Sequence, residues 1–184
     1  MIPDRLKSVY RAGVIAVVLP AVALLVAYLS GSFLLIDYVH VLLGAIWTGV
    51  DVFYGLIFYF VISSLDAKTR ASIAERLIPM SLFFIPSVSI LTPLAGYILA
   101  VEEKIWNPYT PVFSAAIIIG SILVAVGFLT IVPASALVLK EMKSAGGNVE
   151  RSSRMLMLGS HGALLQLVLQ IAMISVMAYI VVYL

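Results

Sequence analysis

Residues 37–62 read DYVHVLLGAIWTGVDVFYGLIFYFVI. The run is long and apolar enough to cross a bilayer as a helix, which takes about 20 mostly apolar residues. It lacks the alternation with period two that marks a barrel strand of about ten residues. Yet it carries three ionisable side chains, Asp37, His40 and Asp51. In hydrocarbon each of these costs roughly 2.5–3.5 kcal/mol on insertion scales, so the default reading of such a residue is functional. Steps of three and four residues stay on one helix face. Asp37, His40, Gly44, Trp47, Asp51, Tyr54 and Phe58 follow that rule along almost the whole run. One stripe thus combines an imidazole, two carboxylates, an indole, a phenol and a small residue that permits close approach. That stripe is expected to face the interior of a helical bundle.

Four similar runs flank it: residues 12–29, which carry Pro20, and residues 77–101, 112–139 and 155–184. Across all 184 residues, 63% are hydrophobic and 11% charged, against about 25% charged in a soluble domain. Lipid must therefore solvate most of the surface. The fold class expected is an all-α integral membrane bundle of about five transmembrane helices, forming one domain over residues 1–184. The first run exceeds the 7–15 residues of a signal-peptide core and is read as a retained helix. The absence of cysteine excludes disulfides, thiolate metal sites and a cysteine nucleophile. A net charge of +2 is too small to point to nucleic acid.

Basic residues orient the chain. Arg5, Lys7 and Arg11 precede the first run. Lys68, Arg70 and Arg76 lie between the second and third, and Lys140, Lys143, Arg151 and Arg154 between the fourth and fifth. Of the 11 lysines and arginines, only Lys104 falls on the other side. Positive charge gathers in cytoplasmic loops, so the expected topology is N-terminus inside and C-terminus outside, in the cell membrane.

The polar residues within the runs differ in weight. Asp37 stands near the outer interface, where an aspartate ordinarily caps a helix. Trp47 and Tyr54 read first as packing residues. Asp51 lies about 20 Å into its span at 1.5 Å per residue, which makes it the candidate proton relay, or a hydrogen-bonded structural group. The second histidine, His161, follows Gly159 and Ser160 in the fifth run, with Gln166, Gln170, Met173 and Met177 further along. Two histidines, both inside spans, suggest metal ligation, because neutral imidazole is the commonest metal ligand. Helical rise puts them roughly 20–25 Å apart in depth, which sets His40 against Met177 as an axial pair, and His161 against Met80 or Met157. Pro79, Pro86 and Pro93 in the third run, and Thr130 and Pro133 in the fourth, are expected to kink their helices and open space for a cofactor or an ion path.

The stretch from Tyr38 to Gly49, YVHVLLGAIWTG, sets a histidine seven residues before a tryptophan and nine before a glycine. It resembles a pattern shared by HemJ-type protoporphyrinogen oxidases, CopD-like copper-resistance proteins and the membrane domain of some urate-metabolism proteins. Glu75-Arg76-Leu77-Ile78-Pro79, running into Thr92-Pro93-Leu94-Ala95-Gly96, looks like the helix that follows in those families. The resemblance covers residues 37–100. It implies haem b as cofactor and His40 as an iron ligand, with Trp47 and Gly49 as companions. Arg76 is the nearest match to the basic residue that follows the histidine helix in HemJ-type proteins. The candidate site is then His40 and His161 for metal, with Gly44, Trp47, Gly49, Tyr54 and Met177 around the cofactor. Asp51 and Arg76 are its candidate catalytic residues.

Three functions fit. The first is a haem b protein in electron transfer or porphyrin- or quinone-linked oxidation, with a redox partner. The second is a copper or proton transporter or channel, with Asp51, His161 and Gln166 along the path. The third is an accessory subunit of a larger membrane complex or homo-oligomer.

Overall fold

The computed structural model describes residues 4–143 and 147–183, and within them all side chains except those of residues 4–10, 12, 78–81 and 142–143. The expectations attached to Arg5, Lys7, Met80 and Lys143 concern side chains outside that set, and Leu184 lies beyond it.

Every described element is helical. In chain order they are α1 (Asp4–Leu29), α2 (Phe33–Asp51), a π-helical segment (Val52–Phe58), α3 (Tyr59–Ser63) and α4 (Ala67–Glu102). Then come α5 (Pro111–Val126), a second π-helical segment (Gly127–Ile131), α6 (Val132–Lys143) and α7 (Val149–Tyr183). α2, the first π segment and α3 form one continuous rod, as do α5, the second π segment and α6. The described residues thus form five rods. Four rods contain a stretch long and apolar enough to cross a membrane: Phe33–Ser63, Leu82–Glu102, Pro111–Glu141 and Val149–Tyr183. The apolar part of α1, Gly13–Leu29, is shorter. It buries Leu24 and Ala27 against the bundle and exposes Val14, Ile15 and Leu19. The all-α membrane bundle is therefore as expected, with four spans of full length among the described residues.

Local chemistry sets the turns. Gly31, at φ +64°, takes the left-handed conformation that glycine adopts without steric cost. Ser32 then caps α2 by accepting from the Leu35 amide at 3.4 Å. The helix consequently starts at Phe33, and Asp37 sits a turn inside it, half-buried; it is not the cap. Asp66 caps α4, accepting from the amides of Lys68 and Thr69 at 2.9 and 3.0 Å. The Thr69 hydroxyl, which also donates to it, and these amides hold the exposed Asp66 carboxyl below the usual carboxylate range.

The prolines do not interrupt their helices: α1 runs through Pro20 and α4 through Pro86 and Pro93. Two segments take π-helical geometry. The second ends two residues before Pro133, whose ring would press on the carbonyl four residues back. The first contains Gly55, and a Cβ there would lie 2.5 Å from the Leu164 nitrogen and 2.8 Å from the Ala163 carbonyl carbon. Backbone of the first π segment thus lies directly on backbone of α7.

Three apolar clusters hold the rods together. The largest joins α1, α2, α4 and α5 through Leu24, Ile36, Val39, Leu43, Trp47, Val88, Leu99 and Leu123. A second, Ile62, Ala74, Val138 and Leu156, closes the end that carries the basic turns. The third, Ala100, Phe113 and Ile180, closes the opposite end. Polar side chains occupy the level between the first cluster and the second. The glycine contact predicts that Gly55→Ala lowers stability by about 1–3 kcal/mol through overpacking. Gly49→Ala, with nothing within 4 Å of the added carbon, leaves it unchanged. Unfolding of the two variants in detergent micelles compares them directly.

Candidate functional site

The stripe on α2 turns inward. Trp47 and Asp51 are buried, and Asp37, His40, Gly44, Tyr54 and Phe58 are partly buried, while Tyr38, Val41, Ile46 and Phe53 between them are exposed. Along this face the site separates into two centres.

The first is His40. Its Nδ1 lies 2.9 Å from the Thr92 carbonyl oxygen on α4, and a carbonyl only accepts, so Nδ1 carries the hydrogen and donates. The other ring nitrogen, Nε2, is left with a lone pair. Gly96, one turn beyond Thr92, makes room for the ring: a Cβ there would stand 2.8 Å from His40 Cε1. Gly44 faces the same helix, 3.7 Å from the Thr92 methyl group by the same construction. An imidazole whose Nδ1 is tied to a backbone carbonyl, with Nε2 free, has the arrangement usual for a metal-ligating histidine.

The second centre is Asp51, fully buried at 0% exposure. Gln170 of α7 donates from Nε2 to Asp51 Oδ2 at 2.9 Å. The Thr48 hydroxyl lies against both Gln170 Oε1 and the Gly44 carbonyl. One turn earlier on α7, Gln166 donates from Nε2 to the Leu123 carbonyl at 2.9 Å, beside Gly127 in the second π segment. α7 is therefore tied to α2 and to α5 by two glutamines four residues apart, which a helix places on one face. Asp51 Oδ1, Gln166 Oε1, Trp47 Nε1 and Ser160 Oγ are buried without a protein partner. Asp51, Tyr54, Ser135, Gly159 and Ser160 line a cavity of about 30 Å³, room for about two water molecules.

Other expected members stand elsewhere. Gly49 is exposed on the outer face of α2, because it is out of step with the stripe. Arg76 is exposed on α4 and does not line the cavity. Met177 packs with Ala100, Phe113 and Ile180. Met173 is the methionine that packs with Leu43, Trp47 and Leu123. His161 is exposed, its Nδ1 2.8 Å from the carbonyl of Met157 on its own helix and its ring edge-on to Tyr59 at 5.0 Å. Tyr59 lies about 28 Å beyond His40 along the same rod at 1.5 Å per residue, so one iron cannot be held by both histidines. Among the described residues, no group of three or more histidine, aspartate or glutamate side chains could hold a metal ion.

No family model, curated protein or solved structure matches this chain.

The hydrogen bonds rank the glutamines. Gln166→Leu removes one neutral bond and is expected to cost about 1 kcal/mol. Gln170→Leu leaves a buried carboxyl with no protein partner and is expected to cost more, about 1–3 kcal/mol. Equilibrium unfolding of each variant in the same detergent tests the order.

Proposed function

We propose that this chain is a membrane-embedded haem b protein acting in electron transfer, with His40 as its iron ligand. The observation that carries this reading is the hydrogen bond from His40 Nδ1 to the Thr92 carbonyl. It fixes the ring and the tautomer, and it leaves Nε2 free to bind a metal. Gly96 is the second support, since its missing side chain is what lets the imidazole lie against α4. The likeness of residues 38–49 to the histidine helix of membrane haem families points the same way.

In this reading haem bound at His40 supplies one-electron chemistry, exchanged with a quinone or a protein partner. His40 is then the chain's iron ligand, and His161, whose Nδ1 is tied to the carbonyl of Met157 on its own helix, is not. Trp47, buried one turn beyond Gly44 on the same face, helps to exclude water. The basic residues Lys68, Arg70 and Arg76, with Lys140, Lys143, Arg151 and Arg154, mark the cytoplasmic side in this reading, and His40 belongs to the outer half of the cell membrane.

An absorption spectrum of the protein purified with haem supplied during expression tests the reading. A Soret band that changes on dithionite reduction is expected. His40→Ala should abolish it, Gly96→Leu should weaken it by displacing the ring, and His161→Ala should leave it intact. A colourless wild-type protein, or a band lost only with His161→Ala, would overturn the assignment.

A further inference from the structure

Asp51 plays no part in holding a group at His40, which lies about 16 Å away along the helix at 1.5 Å per residue. Yet it is the most deeply buried ionisable group on the stripe. A carboxylate taken out of water is costly unless paired and fully hydrogen-bonded. Here one oxygen accepts from Gln170 and the other has no protein partner. The first π segment brings Tyr54 to the site, α4 brings Ile85, α6 brings Ser135, and α7 brings Gly159 and Ser160. Among the described residues, Tyr54 is the one ionisable side chain on the cavity wall besides Asp51, and none of them is basic. What neutralises the carboxyl must therefore come from the cavity.

We propose that Asp51 is a proton-exchange site, served by water in the cavity it shares with Ser160. Proton uptake forms an O–H bond on the carboxyl and breaks one on a hydronium ion, leaving water; release is the reverse, and no electron moves. Ser160 Oγ, buried without a protein partner on the same wall, gives the water a second anchor. Gln170 holds the carboxyl in place through Oδ2, so Oδ1 is the oxygen left for the proton. The apolar cluster of Ile62, Ala74, Val138 and Leu156 stands between this site and the basic end of the bundle.

Infrared difference spectroscopy on the full chain in lipid nanodiscs tests this without reference to haem. A carboxylic-acid C=O stretch should appear and vanish reversibly in a pH titration, be missing in Asp51→Asn, and shift on transfer to deuterium oxide. Gly159→Leu, which grows a side chain from open space on the cavity wall, should slow that deuterium shift. Wild-type protein should also be modified at Asp51 by dicyclohexylcarbodiimide, as peptide mass spectrometry would locate, so that the result does not hang on any variant folding. A spectrum identical in wild type and Asp51→Asn, or a band that never shifts in deuterium oxide, would overturn the proposal. Loss of both the band and the labelling on adding sodium would overturn it too, in favour of a metal-cation site. Haem spectra respond to His40 alone, so the two readings fail separately.

Discussion

The bond from the Gln170 amide to the Asp51 carboxyl is the constraint around which the middle of this bundle is arranged. In a lipid environment, apolar side chains gain little by leaving lipid for one another, and helix association relies on close packing and polar contacts. A buried carboxyl is the most demanding of those contacts. It fixes the rotation of α2 about its axis, because any other rotation would turn Asp51 towards lipid. It also fixes the height of α7, because Gln170 must meet it there. Gln166, one turn away, then reaches the Leu123 carbonyl and sets the depth of α5.

Close approach follows from that arrangement. For Gln170 to reach Asp51, α7 must lie almost on the backbone of the neighbouring rod, and Gly55 is where the two backbones meet. On the other side Gly162 lies against Thr130, whose hydroxyl donates back to the Val126 carbonyl at 2.6 Å. Both contacts fall in π-helical segments. A π turn is rare and recurs at functional sites; here the pair flanks α7 near the level of the cavity. The widened turns and the missing side chains make room for one another.

Much of this was legible in the sequence, and the part that was not has a physical cause. The inward stripe of α2 followed from spacing alone, since helical periodicity fixes which residues share a face. The burial of Asp51 followed from the cost of exposing a carboxyl to lipid. Depth arithmetic separated His40 from His161. The same arithmetic brought Met177 to the level of His40 but said nothing about rotation around the bundle, and the neighbours Met177 has there, Ala100, Phe113 and Ile180, could not be read from depth. Prolines read as kinks, and α4 runs through Pro86 and Pro93 as one continuous helix. The π turns could not be foreseen because their cause is tertiary: Gly55 is unremarkable until α7 lies against it. Gln166 and Gln170 were visible as a polar pair, but their partners, a carboxyl on α2 and a backbone carbonyl on α5, are far away in the chain.

The two centres share one helix face and differ in kind. At His40 the structure offers a fixed ring with a free nitrogen, and at Asp51 a buried carboxyl with a free oxygen beside water-sized space. Both depend on α2 being held against α4 and α7 in a single rotation. The most direct measurement of that dependence is a double-mutant cycle between Asp51→Leu and Gln170→Leu, by reversible unfolding in one detergent. If the bond organises the bundle, the double variant should lose less stability than the sum of the single variants, by at least about 0.5 kcal/mol. Strictly additive losses would contradict the account.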